Sequence, residues 1–365
     1  MAASLSGSDA AALDGVGRQP RVSVTVNGVP VSEVISILVH RNNFLAADTF
    51  KVVFAFDPGA GVPDWVQADV VALDLMIAEN PGTSLSVITG LADEVVLDLA
   101  NGIVTATGRD YTAQFIETKT AEKFQNLTSS QVVQILANRH GLASQVTSTM
   151  TPTGKYYDSD HSIVTNEVSE WTLLSYLAGR EGFDIFVQGN TLFFQPAANP
   201  IEDSPFDVYC VVDGSSPSAN VSRLITHRSM TLARDVIVKV VSWNHEMKSA
   251  VTATRRAEKT TARGQSAKFP PTTYVFREAG LTQDQANALA DSKLRELTLH
   301  ERRIEFDIPG DLSLTPRSLV RLSGTGTDFD QTYFVAQIYI TCSLERGFSM
   351  KVTAKNASPQ SVANI

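Results

Sequence analysis

The chain has 365 residues, a formal net charge of −9, 43% hydrophobic and 19% charged residues, and two cysteines, Cys210 and Cys342. A chain this long can bury a core that needs neither disulfides nor a structural metal. Two lone cysteines make no disulfide framework or ligand cluster, and no apolar run approaches the ~18 residues of a membrane span. The N-terminus lacks a basic start and an apolar centre. The expectation is therefore a soluble protein made in the cytosol, with no stable membrane insertion.

Residues 1–19, rich in Ala, Ser, Gly and Asp, predict a flexible segment. From Arg21 the period becomes two, with Val22, Val24 and Val26 alternating with polar residues before a left-handed turn at Asn27-Gly28. Strand-like runs follow at 34–40, 49–56, 69–78 and 84–98, and Asn101-Gly102 turns the chain into 103–108. Short strands joined by Gly and Asn turns predict a small antiparallel β-barrel over 20–110.

The period then changes. Ser129, Ser130 and Gln131, followed by Val132, Val133, Ile135, Leu136 and the stop at Gly141, predict a capped amphipathic helix. A second helix is predicted from about Asn166 through Trp171, Leu174 and Leu177 to Gly182, and a hairpin over 183–194 turns at Gly189-Asn190. Residues 111–200 thus read as an α+β insert.

Strands return at 222–227 and 235–243, then at 302–308, 318–322, 333–343 and 348–354. The reading for 201–356 is a second barrel interrupted at about 246–300 by a polar loop and a helix, with 357–365 as a tail. Two echoes suggest that the β regions are related. His40-Arg41, Leu45-Ala46 and Asp48 recur as His227-Arg228, Leu232-Ala233 and Asp235, each before a valine-rich strand. The hairpin around Ala92–Thr107 is echoed by that around Ala336–Thr353. The fold class expected is mainly β with an α+β insertion: two related small antiparallel β-barrel domains in tandem, with a helical insert between them.

Charge is uneven. Residues 1–110 carry 5 basic and 13 acidic side chains, 111–219 carry 5 and 12, and 220–365 carry 20 and 14. Such a map gives no contiguous basic surface for sequence-specific nucleic-acid binding. The densest basic run, Arg255, Arg256, Lys259, Arg263 and Lys268, reads as a solvated loop with a protein-docking surface as its alternative.

No catalytic, cofactor or metal signature emerges. The six histidines, at 40, 140, 161, 227, 245 and 300, form no zinc-helix pair, no Cys-x-x-Cys exists, and Gly154-Lys155 lacks the rest of a phosphate loop. The glycine-rich stretch Ser323–Asp330 follows a strand without opening a helix and reads as a hairpin loop. Asp158, Asp160 and His161 could in principle hold a divalent cation or act as the acid and base of glycan cleavage, but no further oxygen ligands are signalled. They read as a solvated loop, so no catalytic, cofactor-binding or metal residues are assigned.

Three blocks carry a family resemblance: Thr107-Gly108-Arg109-Asp110-Tyr111, the helix from Leu127 to Gly141-Leu142, and Glu170-Trp171 through Leu173, Leu174, Leu177-Ala178 to Glu181-Gly182-Phe183. Together they resemble the phage late control D family of tail baseplate hub proteins, whose fold also forms the N-terminal part of type VI secretion spike proteins. The resemblance implies a non-enzymatic homotrimer in the virion tail baseplate, assembled in the host cytoplasm. In it six barrels form a pseudo-six-fold ring joining the tail tube to a central spike and leaving a channel for DNA. Implied partners are a tail tube or distal tail protein, other baseplate proteins, and a spike or tail-tip protein expected as a separate chain because this one stops at Ile365. The alternatives are a tail-associated cell-wall or glycan hydrolase using Asp158, Asp160 and His161, or a monomeric receptor- or carbohydrate-binding β module.

Overall fold

The computed structural model describes residues 20–80, 83–120, 122, 124, 127–150, 168–198, 203–213, 216–228, 236–244, 248–256, 272–298, 302–343, 345 and 347–356. The first part contributes β1 (Arg21–Val26), β2 (Val29–Val31), β3 (Val34–Asn42), β4 (Thr49–Ala55), β5 (Ala72–Asn80), β6 (Thr83–Asp98) and β7 (Ile103–Asp110). Here the alternation read from the sequence becomes geometry. Along β7 every second residue is buried, and Val104 and Ala106 are fully enclosed. The β1–β2 turn has Asn27 at φ 50° and Gly28 at φ 79°, the left-handed pair that a tight hairpin requires.

The middle part holds α1 (Thr112–Glu117), β8 (Lys119–Thr120), α2 (Ser129–Arg139), β9 (Ala143–Val146), β10 (Val168–Ser169), α3 (Glu170–Glu181), β11 (Phe183–Gln188) and β12 (Thr191–Pro196). Thr128 caps α2 in a full capping box with Gln131, one residue earlier than the sequence suggests. α3 also starts later than expected, because Val168 and Ser169 pair with Thr120 and Lys119 as a short ladder. Ser169 then caps the helix, and Gly182 closes it at φ 70°. The β11–β12 hairpin turns where expected, and β9 adds to it in parallel. Phe115, Leu136, Leu174 and Phe194 form the centre of this part's own core.

The last part contains β13 (Phe206–Asp213), β14 (Ser216–Ala219), β15 (Arg223–Arg228), β16 (Val236–Asn244), β17 (Ser249–Arg256), β18 (Thr272–Arg277), α4 (Gln283–Thr298), β19 (Arg302–Pro309), β20 (Leu319–Ser323), β21 (Thr332–Ser343) and β22 (Gly347–Asn356). β16, β17 and β18 form a separate three-stranded sheet that packs on α4 through Val238, Val240, Ala286 and Ala290.

The remaining strands of the first and last parts share one 14-stranded sheet and one core. Its strand path has an internal repeat. The order β3-β4-β7-β6-β5-β1-β2 is matched by β15-β19-β22-β21-β20-β13-β14. One difference is that β1 pairs with β5 antiparallel whereas β13 pairs with β20 in parallel. The fold is thus mainly β with mixed sheets, and among the described residues no sheet closes into a barrel.

The second His-Arg echo needs correcting in one respect. His40-Arg41 and His227-Arg228 do sit at the same ladder positions of β3 and β15. The valine-rich strand after the second pair, β16, leaves the large sheet, and β19 takes the place that β4 holds in the first part. Valine alternation marks a strand equally well in either sheet.

Candidate functional site

The two repeats are stitched together inside the chain. Residues 36–42 of β3 run antiparallel to residues 337–343 of β21. His40 lies flat on Tyr339 across this seam, with ring centroids 4.3 Å apart and planes 5° apart, and its Nε2 faces Gln337 Oε1 at 3.3 Å. On the other face Ile37 and Val39 are buried with Ile338 and Ile340. The seam is therefore a continuation of the core as well as of the hydrogen-bond ladder. Beside it the exposed face forms a groove of about 430 Å³ lined by Leu38, His40, Lys51, Asp93, Arg109 and Tyr339. Arg109 bridges this face to the insert, holding Asp93 through two 2.7 Å contacts and Glu117 through one of 2.5 Å.

Behind the seam three parts of the chain meet around buried charge. Arg317, from the loop between β19 and β20, stacks on the Phe186 ring of β11 at 3.7 Å. Burial pulls its guanidinium down to about 10, against the opposing pull of Asp48, Asp184 and Asp110. Asp110 is pushed up to about 8, first by burial and then by the Asp48 charge. Burial also raises Asp48, although Arg41 lies 3.6 Å away. The cleft between these groups is about 10 Å³, room for no more than a single water, so it is a joint and not a ligand pocket.

The insert is clamped to this joint by the Glu170–Phe183 block. Trp171 donates its indole N–H to the Leu45 carbonyl at 2.6 Å, and Leu45 sits at φ 56°, a left-handed conformation unusual for leucine. Glu170, with no exposed surface, accepts from Arg139 at 2.5 Å and contacts His140 Nε2 at 2.6 Å, tying the end of α2 to the start of α3. Glu181 accepts from Ser129 at 2.6 Å. Every polar residue of the block named here is committed to holding elements together. The same holds for Gly108, where an added Cβ would lie 2.1 Å from the Leu91 carbonyl and 2.6 Å from the Phe50 ring.

Asp158, Asp160 and His161 fall outside the described residues, as do His245, His300, Lys259, Arg263 and Lys268. Of the basic run, Arg255 pairs with Asp291 at 2.6 Å. In the Ser323–Asp330 loop the Asp330 carboxylate accepts from Thr325 and Gly326 N–H, so the amides that would cradle a phosphate are already taken. Among the described residues no group of three His, Cys, Asp or Glu could hold a metal ion, and no helix is long and apolar enough to cross a membrane. The strand seam was missed by the sequence reading; the His-Arg echoes mark the matching strands β3 and β15, not the strand β21 that pairs with β3.

Comparison with known proteins places this architecture. The tail protein from Neisseria meningitidis MC58 superposes with a TM-score of 0.67 at 14% identity, covering 94% of this chain and 99% of that one. The 43 kDa tail protein of prophage MuSo2 from Shewanella oneidensis gives 0.65 at 14% identity, covering 93% and 99%. The E. coli c3393 protein, described as a type VI secretion component with structural similarity to T4 bacteriophage tail proteins gp27 and gp5, gives 0.53 at 12%, covering 93% and 78%. At these identities the likeness is one of fold. No curated protein matches the sequence. The family profile that does match is described as the Alg8 N-terminal domain, a name other than late control D, and it covers residues 98–343. With more than half of its length matched, the chain belongs to the Alg8 N-terminal domain family.

Proposed function

We propose that this protein is a non-enzymatic structural subunit of a phage or phage-like tail baseplate, located in the virion tail and assembled in the host cytoplasm. Three copies form a hub in which six related, barrel-like units make a pseudo-six-fold ring. The ring joins the tail tube, or a distal tail protein, to a central spike, and leaves a channel for DNA. The observation that carries this reading is the repeated strand path with its β3·β21 seam. A chain holding two similar units side by side can present three-fold symmetry to one partner and near six-fold symmetry to another. The tail-protein fold of the structural neighbours supports the same reading.

The committed polar groups fit a part that must be rigid. Asp48 accepts from Asn42 and Asp110 from Thr112, and Arg317 stacks on Phe186 to join the last part to the insert, around a cleft too small for a substrate. The acidic excess of residues 1–219 gives a channel lined by that part low affinity for passing DNA. Electron microscopy of the purified protein tests the arrangement: averaged end-on views should show a six-lobed ring with a central opening. Isolated single-lobed particles at every concentration would refute it.

A further inference from the structure

The seam inside the chain has a counterpart of which each copy holds the two separate halves. β3 pairs with β4 on one edge and with β21 on the other. In the repeated strand path β15 stands in the place of β3, and β6 in the place of β21. β15 pairs with β19, and among the described residues its other edge has no strand beside it. β6 pairs with β7 along one edge; its other edge pairs with β5 up to Leu91, and among the described residues no strand lies beside Asp93–Asp98 on that edge.

The ladders also align the two repeats residue by residue. Glu94 faces Thr107 and Gln337 faces Thr353, each just after a bulge. Thr107 also faces Lys51, and Thr353 faces Glu305. Leu38 and Ile225 then match, as do His40 and His227.

Burial at matched positions differs in the way a missing neighbour would make it differ. On the core side of β3, Val39 is 0% exposed, whereas its match on β15, Thr226, is exposed. Ile338 and Ile340 of β21 are buried, whereas Val95 and Leu97 of β6 are half-buried. Val96 and Leu99 are 50% and 59% exposed. Open edges with apolar side chains are pairing surfaces. Asp93 is already held by Arg109 and His227 lies 3.6 Å from Glu305, and the edges carry opposite charge through Arg223 on β15 and Glu94 and Asp98 on β6. Opposite charges facing or diagonal across strands stabilise a pair.

We infer that β15 of one copy pairs antiparallel with β6 of the next, repeating between copies the seam that β3 and β21 make within one. The register sets Val95 against Arg228, Val96 against His227, Leu97 against Thr226 and Asp98 against Ile225. This rests on the trimeric reading above and deepens it by naming the two edges. The contact is heterologous, so three of them close a ring of three chains.

Engineered disulfides test the register. In a chain carrying Cys210→Ala and Cys342→Ala, Val96→Cys with His227→Cys places thiols on directly opposed residues, about 5 Å between Cα atoms. Val95→Cys with Arg228→Cys does the same on the other face. Mild oxidation should convert either variant to a covalent three-chain species on non-reducing gels. Leu97→Cys with His227→Cys, one residue out of register, should cross-link about tenfold less. A trimer by light scattering in which neither matched pair cross-links would overturn this junction and leave the trimeric reading standing. A monomer at every concentration with no cross-link would overturn both, and a ladder running past three chains would overturn the closed ring.

Discussion

His40 and Tyr339 stack nearly parallel, 4.3 Å between ring centroids, although 298 positions separate them in the chain. The contact joins the two repeats at the centre of the seam. Tyr339→Ala removes the stack and part of the packing beneath it. Aromatic pairs contribute about 0.5–1.5 kcal/mol beyond their buried area, so a loss of about 1–2 kcal/mol is expected in urea denaturation. A midpoint unchanged from wild type would show that the seam does not depend on this pair.

Trp171 is the hinge pin of the insert, with its indole N–H on the Leu45 carbonyl. Trp171→Phe keeps most of the apolar body and deletes the donor, leaving the Leu45 carbonyl without this partner. The expected cost is about 1 kcal/mol, read as a lowered thermal midpoint. Increased proteolysis near residues 43–47 should accompany it. Stability equal to wild type would show that the bond contributes nothing net.

Gly108 of β7 pairs with Ala92 of β6 beside the β6 bulge, and a methyl group there would meet the Leu91 carbonyl and the Phe50 ring. Both neighbours are fixed, one being backbone and the other core. Gly108→Ala should therefore cost about 3 kcal/mol or more, through a backbone shift that spreads along two strands. A stable, soluble Gly108→Ala protein with the wild-type midpoint would contradict the close approach.

Asp110 gives the protein a pH signature. Its ordinary value is 3.8, and burial with the neighbouring Asp48 charge raises it to about 8 in the folded chain. Between these values the unfolded chain has released a proton that the folded chain keeps, so this group's contribution to stability falls as pH rises. The loss is absent below about pH 4 and complete above about pH 8. Asp110→Asn removes that titration and should flatten the melting temperature between pH 5 and 8, at roughly neutral volume. An Asp110→Asn profile parallel to wild type would place the pH dependence elsewhere.

Local chemistry was legible in the sequence and long-range pairing was not. The Asn27-Gly28 turn, the Gly182 helix stop and the Gly189-Asn190 hairpin rest on the backbone freedom of one or two residues, and each lies where the sequence puts it. The seam between residues 36–42 and 337–343 leaves no local trace, because a half-buried strand alternates in the same way whichever strand lies beside it. The same ambiguity put β16 into the wrong sheet. Closure is invisible for a related reason: alternation sets which face is buried and says nothing of whether the last strand meets the first. The buried joint was also hidden. Asp48, Asp110 and Arg317 are ordinary charged residues in sequence, and only the approach of three parts of the chain makes them unusual.

The mass of the purified protein in solution bears most directly on the account. Multi-angle light scattering over a wide concentration range should find a single species near three times 39.4 kDa, lowered toward the monomer by salt if the charged strand edges drive assembly. A monodisperse 39.4 kDa particle throughout the range would contradict a preformed three-fold hub.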